Sequence, residues 1–173
     1  MALSDPTPST ILLQVNDRHS ERPLYELPVK ASNTVTPGHF IGYDGSDCVP
    51  AAVGQSFPMV AVENPYIYRR YNDSVGKAID TAYNPTAGTD LEPCRYIIPQ
   101  RGDLVYAFID DGEDISKGDL LAIANTGSTG TAGTLVAVTP DATTVANTLL
   151  AIADEAVDNS AGGAPARCKV RIL

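Results

Sequence analysis

Tryptophan is absent from this chain of 173 residues, and histidine and methionine occur only twice each. The shortage of histidine thins the usual catalytic kit. Nucleophilic catalysis needs a Ser, Cys or Thr beside a base, and the only imidazoles are His19 and His39, with no Gly-x-Ser-x-Gly turn anywhere. His39 follows Pro37-Gly38 at the head of a strand, where a structural role is expected. The three cysteines, Cys48, Cys94 and Cys168, lie far apart without a Cys-x-x-Cys pair, so neither a zinc site nor a redox motif is indicated. Their odd number also excludes a full disulfide framework, and Cys168 reads as a small core residue. No apolar run approaches the roughly 18 residues of a membrane-spanning helix. The stretch MALSDPTPST lacks the basic and apolar regions of a secretory signal, so the chain is expected to be made and kept in a cytoplasm.

Positive charge is also scarce. Twelve Lys and Arg face 21 Asp and Glu, a formal net charge of -9. That balance provides no patch to neutralise phosphates, which argues against nucleic acid and anionic membrane as partners. The glycine-rich run NTGSTGTAGT at 125–134 has no lysine nearby and is a flexible turn rather than a phosphate loop. The cluster Asp110, Asp111, Glu113 and Asp114 lacks the ligand spacing of a calcium loop and reads mainly as a solvated turn, with a weak cation site as the lesser alternative. No cofactor, metal site or catalytic residue is expected.

What the sequence does contain is a series of short apolar runs punctuated by Pro and Gly. Leu27 to Ala31, His39 to Tyr43, Val49 to Val53, Met59 to Glu63 and Cys94 to Pro99 each suit a strand, with turns at Thr36-Pro37-Gly38 and Asp44-Gly45. The stretch GDLVYAFIDDGEDISKGDLL at 102–121 reads as a β-hairpin whose first strand is apolar on both faces, as in a barrel or sandwich. The end of the chain is the clearest strand: Cys168, Val170 and Ile172 alternate inward with Arg167, Lys169 and Arg171 outward, a solvated or ion-paired face. The run Leu149 to Val157 is expected as strand. Asp73 or Ser74 is placed to cap one short helix through Ala82, with Ile79 and Ala82 inward. The expected fold is therefore all-β, a small β-barrel or sandwich with at most one or two short helices. Length permits one domain, here 29–173.

Residues 1–28 contain Pro6, Pro8, Pro23 and Pro28, and proline removes ladder donors, so an extended N-terminal arm is expected. Its apolar run, Ile11, Leu12 and Leu13, suits docking on a partner. A second candidate contact is the segment 64–83, which holds half of the eight tyrosines. Tyr66, Tyr68, Arg69, Arg70 and Tyr71 have the composition of a protein-protein contact, because Tyr and Arg give large contact area at modest entropic cost. Packing of the same loop on its own barrel is the equal alternative.

The stretch GEDISKGDLLAI resembles the turn and strand before the modified lysine of biotinyl and lipoyl carrier domains, but no lysine follows where modification would occur. A broader resemblance is carried by TPG at 36–38, AVEN at 61–64, AIDTAY at 78–83, the stretch at 102–121, and the close IADEAVDNSAGGAPARCKVRIL. In this order and spacing, over residues 30–173, they resemble the head decoration (cement) proteins of tailed bacteriophages and related viruses. The resemblance implies a protein without catalysis, made in the host cytoplasm, that binds the major capsid protein on the outer surface of the assembled shell and stabilises it. It also implies self-association, commonly as a homotrimer. A β-barrel enzyme or carrier-like domain, and a tail or fibre component, are the alternatives.

Overall fold

Every second residue of Leu104–Ile109 is fully buried: Val105, Ala107 and Ile109 point into a core, while Leu104, Tyr106 and Phe108 are half-covered on the other face. This strand is the hub of the chain. The computed structural model describes residues 8, 10–15, 22–52, 59–64, 79–83, 93–124, 130–139 and 149–173. Within them lie strands β1 (Leu12–Gln14), β2 (Tyr25–Pro28), β3 (Phe40–Asp44), β4 (Asp47–Pro50), β5 (Met59–Ala61), β6 (Pro93–Ile97), β7 (Leu104–Ile109), β8 (Asp114–Ile115), β9 (Leu120–Ile123), β10 (Leu135–Ala137), β11 (Leu149–Ala153), β12 (Val157–Asp158) and β13 (Ala166–Ile172). The protein is all-β, and no helix occurs among the described residues.

The first sheet runs β1-β7-β10-β9-β11-β13, and β13 returns to pair with β7, so five of its strands close into a barrel. The β7–β13 pairing is continuous from Ala166↔Ile109 to Arg171↔Leu104, whereas β10 meets β7 only at Leu135↔Ile109. The remaining edge of β7 is therefore completed piecemeal. Tyr106 N donates to Ile11 O at 2.7 Å, Phe108 N to Gly38 O at 3.3 Å, and Asp110 N to Leu135 O at 2.8 Å. Three separate segments satisfy donors that one long strand would otherwise satisfy, as buried backbone requires.

The second sheet has the order β2-β6-β5-β3-β4, and an isolated parallel bridge between Val29 and Cys48 links β2 back to β4. Its strands are apolar on both faces because each face has its own core. Phe40, Val60 and Ile97 pack with the barrel residues, while Ile41, Ala61, Cys94 and Cys48 form a smaller core with Val29, Val35 and Tyr83. Gly38 and Gly133 sit where the sheets meet. At Gly38 (φ +94°) an added Cβ would lie 2.6 Å from an Arg167 guanidinium nitrogen and 2.8 Å from Tyr106 O; at Gly133 (φ +82°) it would lie 2.7 Å from Phe40 O. Positive φ and the absence of a side chain are both needed there.

Three expectations are corrected. The stretch at 102–121 is not a hairpin: β7 and β9 are separated in the sheet by β10, while β8, in the connection, pairs with β12. The second apolar face of β7 is covered as well, by Arg167 over Phe108 and Tyr106 and by His39 against Phe108. Residues 79–83 form a turn and an isolated bridge, Val35↔Tyr83, rather than the end of a helix, and 73–78 lie outside the described residues. The run 149–157 is interrupted, with β11 ending at Ala153 and β12 starting at Val157. The extended arm expected over residues 1–28 is described in two stretches, of which Leu12–Gln14 lies along β7 as β1 and Tyr25–Pro28 along β6 as β2.

Candidate partner-binding surface

The segment 65–78 carries Tyr66, Tyr68, Arg69, Arg70 and Tyr71, and all five lie outside the described residues. What the structure defines is the base from which the segment leaves and to which it returns. Tyr83 is fully buried, and its hydroxyl lies 3.0 Å from Val62 O and 2.8 Å from Glu63 O. Asn64, also buried, donates from Nδ2 to Ala82 O at 3.3 Å. The chain before the segment and the chain after it are thus stitched directly together. Burial raises the Tyr83 phenol above its ordinary pKa, which keeps the hydroxyl protonated as a donor.

A second anchor comes from β13. The Arg167 guanidinium donates to Ile79 O, lies 3.5 Å from an Asp80 carboxylate oxygen, and stacks 4.2 Å over the Phe108 ring and 5.5 Å from that of Tyr106. Only 11% of its side chain is exposed, and Nη1, pressed against Gly38, has no hydrogen-bond partner. Burial lowers the Arg167 pKa, with the Asp80 charge opposing the shift. His39 also packs against Phe108, edge to face with ring centroids 5.0 Å apart, and its Nδ1 accepts from Thr36 N at 3.3 Å. Burial, assisted by the Arg167 charge, lowers His39 to about 4. Neutral His39 is a structural acceptor under the loop base. Glu63 completes the junction by accepting from Ile11 N.

The expected contact residues of the arm have a different position from the loop. Ile11 is fully buried in the barrel core, and Leu12 is half-buried against it, with Leu13 also half-buried. Ile11 is therefore engaged within its own chain, because the unpaired edge of β7 offers Tyr106 N to Ile11 O. The path out of β1 is held farther along by Arg22, whose Nε and Nη2 each donate to Asp103 at 2.8 Å. Both side chains are nearly inaccessible, 5% and 0% exposed.

The fold also assembles a surface that sequence reading missed. Tyr25 on β2 stacks on Tyr96 of β6, ring centroids 5.4 Å apart and 27° between planes. Burial, together with the neighbouring Tyr43 and Tyr25 phenols, raises the Tyr96 pKa. Tyr25 and Tyr43 remain 42% and 56% exposed, and Leu24, next to Tyr25, and Ile98, two residues after Tyr96, are exposed too. The only signal was local: Tyr25, Tyr43 and Tyr96 each stand two residues from an inward residue, Leu27, Ile41 or Cys94, so each continues a core-facing row beyond the core.

The acidic turn is absorbed by the fold. Asp110 accepts from Thr131 N, Glu113 accepts from Ala137 N at 3.0 Å, and Asn159 Nδ2 donates to Asp110 O at 3.0 Å. Among the described residues, no group of three or more His, Cys, Asp or Glu is placed to hold a metal ion. Of the three β13 bases expected outward, Lys169 and Arg171 are partly exposed and paired with Glu155 and Asp154, whereas Arg167, paired with Asp80, is largely covered. No protein-family model matches the chain, and no curated protein shows significant similarity to it.

Proposed function

We propose that the chain is a viral capsid decoration (cement) protein that binds the exterior of an assembled shell of major capsid protein and stabilises it without catalysis. The reading rests on the ordered phrases that resemble such proteins, and one structural observation supports it most. A segment rich in Tyr and Arg springs from a base fastened by Tyr83, Asn64 and Arg167. A fastened base lowers the entropy lost when a loop is immobilised on a partner, so more of the contact energy is retained as affinity. Tyr66, Tyr68, Arg69, Arg70 and Tyr71 are the proposed contacts, with the Tyr25, Tyr43 and Tyr96 surface as a further one. Self-association, as a homotrimer, would repeat these contacts around a symmetry axis of the shell, and repeated weak contacts combine by multivalency. The acidic balance suits a protein that stays clear of packaged nucleic acid.

Co-sedimentation with empty shells tests the proposal. The intact chain is expected to pellet with the shells at a saturating ratio and to raise their disassembly temperature, whereas alanine at the five loop positions abolishes pelleting while leaving the chain folded. A chain that stays in the supernatant at saturating concentration, or that pellets without stabilising the shell, overturns it.

A further inference from the structure

The open end of the smaller core carries two tyrosines in direct contact. Tyr25 on β2 and Tyr96 on β6 are paired in register, and their rings stack with centroids 5.4 Å apart and 27° between planes. The ladder sets this contact, because cross-strand partners on one face hold their Cβ atoms about 5 Å apart and two rings leaving one rung lie side by side. The next pair on that face, Leu27 and Cys94, is taken into the smaller core, whereas Tyr25 stays 42% exposed. The pair is therefore held by the sheet and open to water. On the other side of Tyr96 stands Ala61, a single methyl in place of a third ring. Among the described residues, no other two tyrosine rings are in stacking contact. Tyr83 is fully buried with its hydroxyl against Val62 O and Glu63 O, and Tyr106 lies near the Arg167 guanidinium.

We infer that Tyr25 and Tyr96 are an oxidative modification site, at which a haem peroxidase with hydrogen peroxide joins the two rings in an intrachain dityrosine. The step balances with one peroxide. Each phenol gives up one electron and its hydroxyl proton, and the two electrons and two protons reduce the peroxide to two waters. Spin in each phenoxyl radical spreads to the ring carbons ortho to the oxygen, Cε1 and Cε2. One such carbon of Tyr25 and one of Tyr96 pair their electrons in a new C–C bond, and the hydrogen on each moves as a proton to the oxygen of its own ring, restoring both phenols. The sum is two tyrosines and one peroxide giving one dityrosine and two waters. Bond formation needs the ortho edges of the rings to meet rather than their faces. The exposed Tyr25 ring reaches that arrangement by turning about its side-chain bonds, a motion that exposed side chains make within nanoseconds. Two radicals on one rung meet without diffusion, so the link within a chain outruns links between chains.

The consequence is a covalent tie between β2 and β6 that closes a stretch of chain containing β3, β4 and β5. Such a tie restricts the unfolded chain and raises the melting temperature. This inference concerns the free chain and is independent of the shell-binding proposal.

The test treats the dilute full chain with a haem peroxidase and hydrogen peroxide, then removes excess oxidant with catalase. The product should show blue dityrosine fluorescence, a monomer mass lower by two hydrogens, a peptide joining Tyr25 to Tyr96, and a yield unchanged on further dilution. Tyr25→Phe and Tyr96→Phe keep both rings but remove one phenol, and each should abolish the intrachain product, whereas Tyr43→Phe should retain it. The linked form should melt several degrees above the untreated chain. Absence of dityrosine under conditions that couple free tyrosine, a link mainly between chains or through Tyr43, Tyr66, Tyr68 or Tyr71, or an undiminished intrachain product in Tyr25→Phe would each overturn the inference. A linked form that melts at or below the untreated chain overturns the stabilising tie.

Discussion

Replacing Tyr83 with phenylalanine removes a single oxygen from the junction between Val62–Asn64 and Ile79–Tyr83 and leaves the buried ring in place. That hydroxyl carries one proton and faces two carbonyls, Val62 O at 3.0 Å and Glu63 O at 2.8 Å. A typical intramolecular hydrogen bond contributes about 1 kcal/mol net, and a buried acceptor left without a donor costs about 1–3 kcal/mol more when water cannot reach it. Because Glu63 is not fully buried, the lower part of that range applies, and the combined loss is about 2 kcal/mol. For a chain of this size the melting temperature falls about 2–4 °C per kcal/mol, so Tyr83→Phe should melt roughly 4–8 °C below the parent. If the loss is confined to this junction, its local opening becomes about 30-fold more favourable, with a matching fall in protection of the Tyr83 amide, which donates to Val35 O. Differential scanning fluorimetry and native-state hydrogen exchange read the two effects. A variant melting within about 1 °C of the parent with unchanged amide protection would show that the hydroxyl does not fasten the base, and the account of the loop would fail.

Acidification tests the junction from another side. His39 has a folded-state value of about 4 against an ordinary 6.5, so between those values the unfolded chain binds a proton that the folded chain does not. Its contribution is therefore intact above pH 6.5 and is lost as the pH falls toward 4, by up to about 3 kcal/mol. Urea midpoints should decline over that window in the parent more than in His39→Gln; parallel pH profiles would contradict the assignment. Asp103→Ala leaves the Arg22 guanidinium buried without its carboxylate and should destabilise by about 3–5 kcal/mol, read by urea denaturation. An Asp103→Ala variant within about 1 kcal/mol of the parent would mean that Arg22 finds water when the partner is removed.

Residues that obey local rules were legible in the sequence. The alternation of Cys168, Val170 and Ile172 gave β13, and the turns at Gly38, Gly45, Gly112 and Gly118 all have positive φ, as glycine permits. Pairing partners were not legible. Nothing local distinguishes a hairpin from a stretch in which Leu104–Ile109 and Leu120–Ile123 sit on either side of Leu135–Ala137, since both leave the same apolar pattern. The prolines around Ile11 suggested an extended arm that docks on a partner, and nothing local showed that the edge of β7 supplies a donor, Tyr106 N, and a buried site for Ile11. The tyrosine surface escaped notice because Tyr25, Tyr43 and Tyr96 become neighbours only through the order of the second sheet.

The central claim, that this chain coats the outside of a viral shell through its fastened loop, is tested most directly by a cryo-electron-microscopy map of the assembled particle. The account predicts density for this all-β fold on the outer surface, with residues 65–78 against the major capsid protein and copies of the chain around a symmetry axis. A particle whose exterior lacks the protein, or a map in which it sits in the tail or contacts the shell by a face remote from that loop, would contradict it.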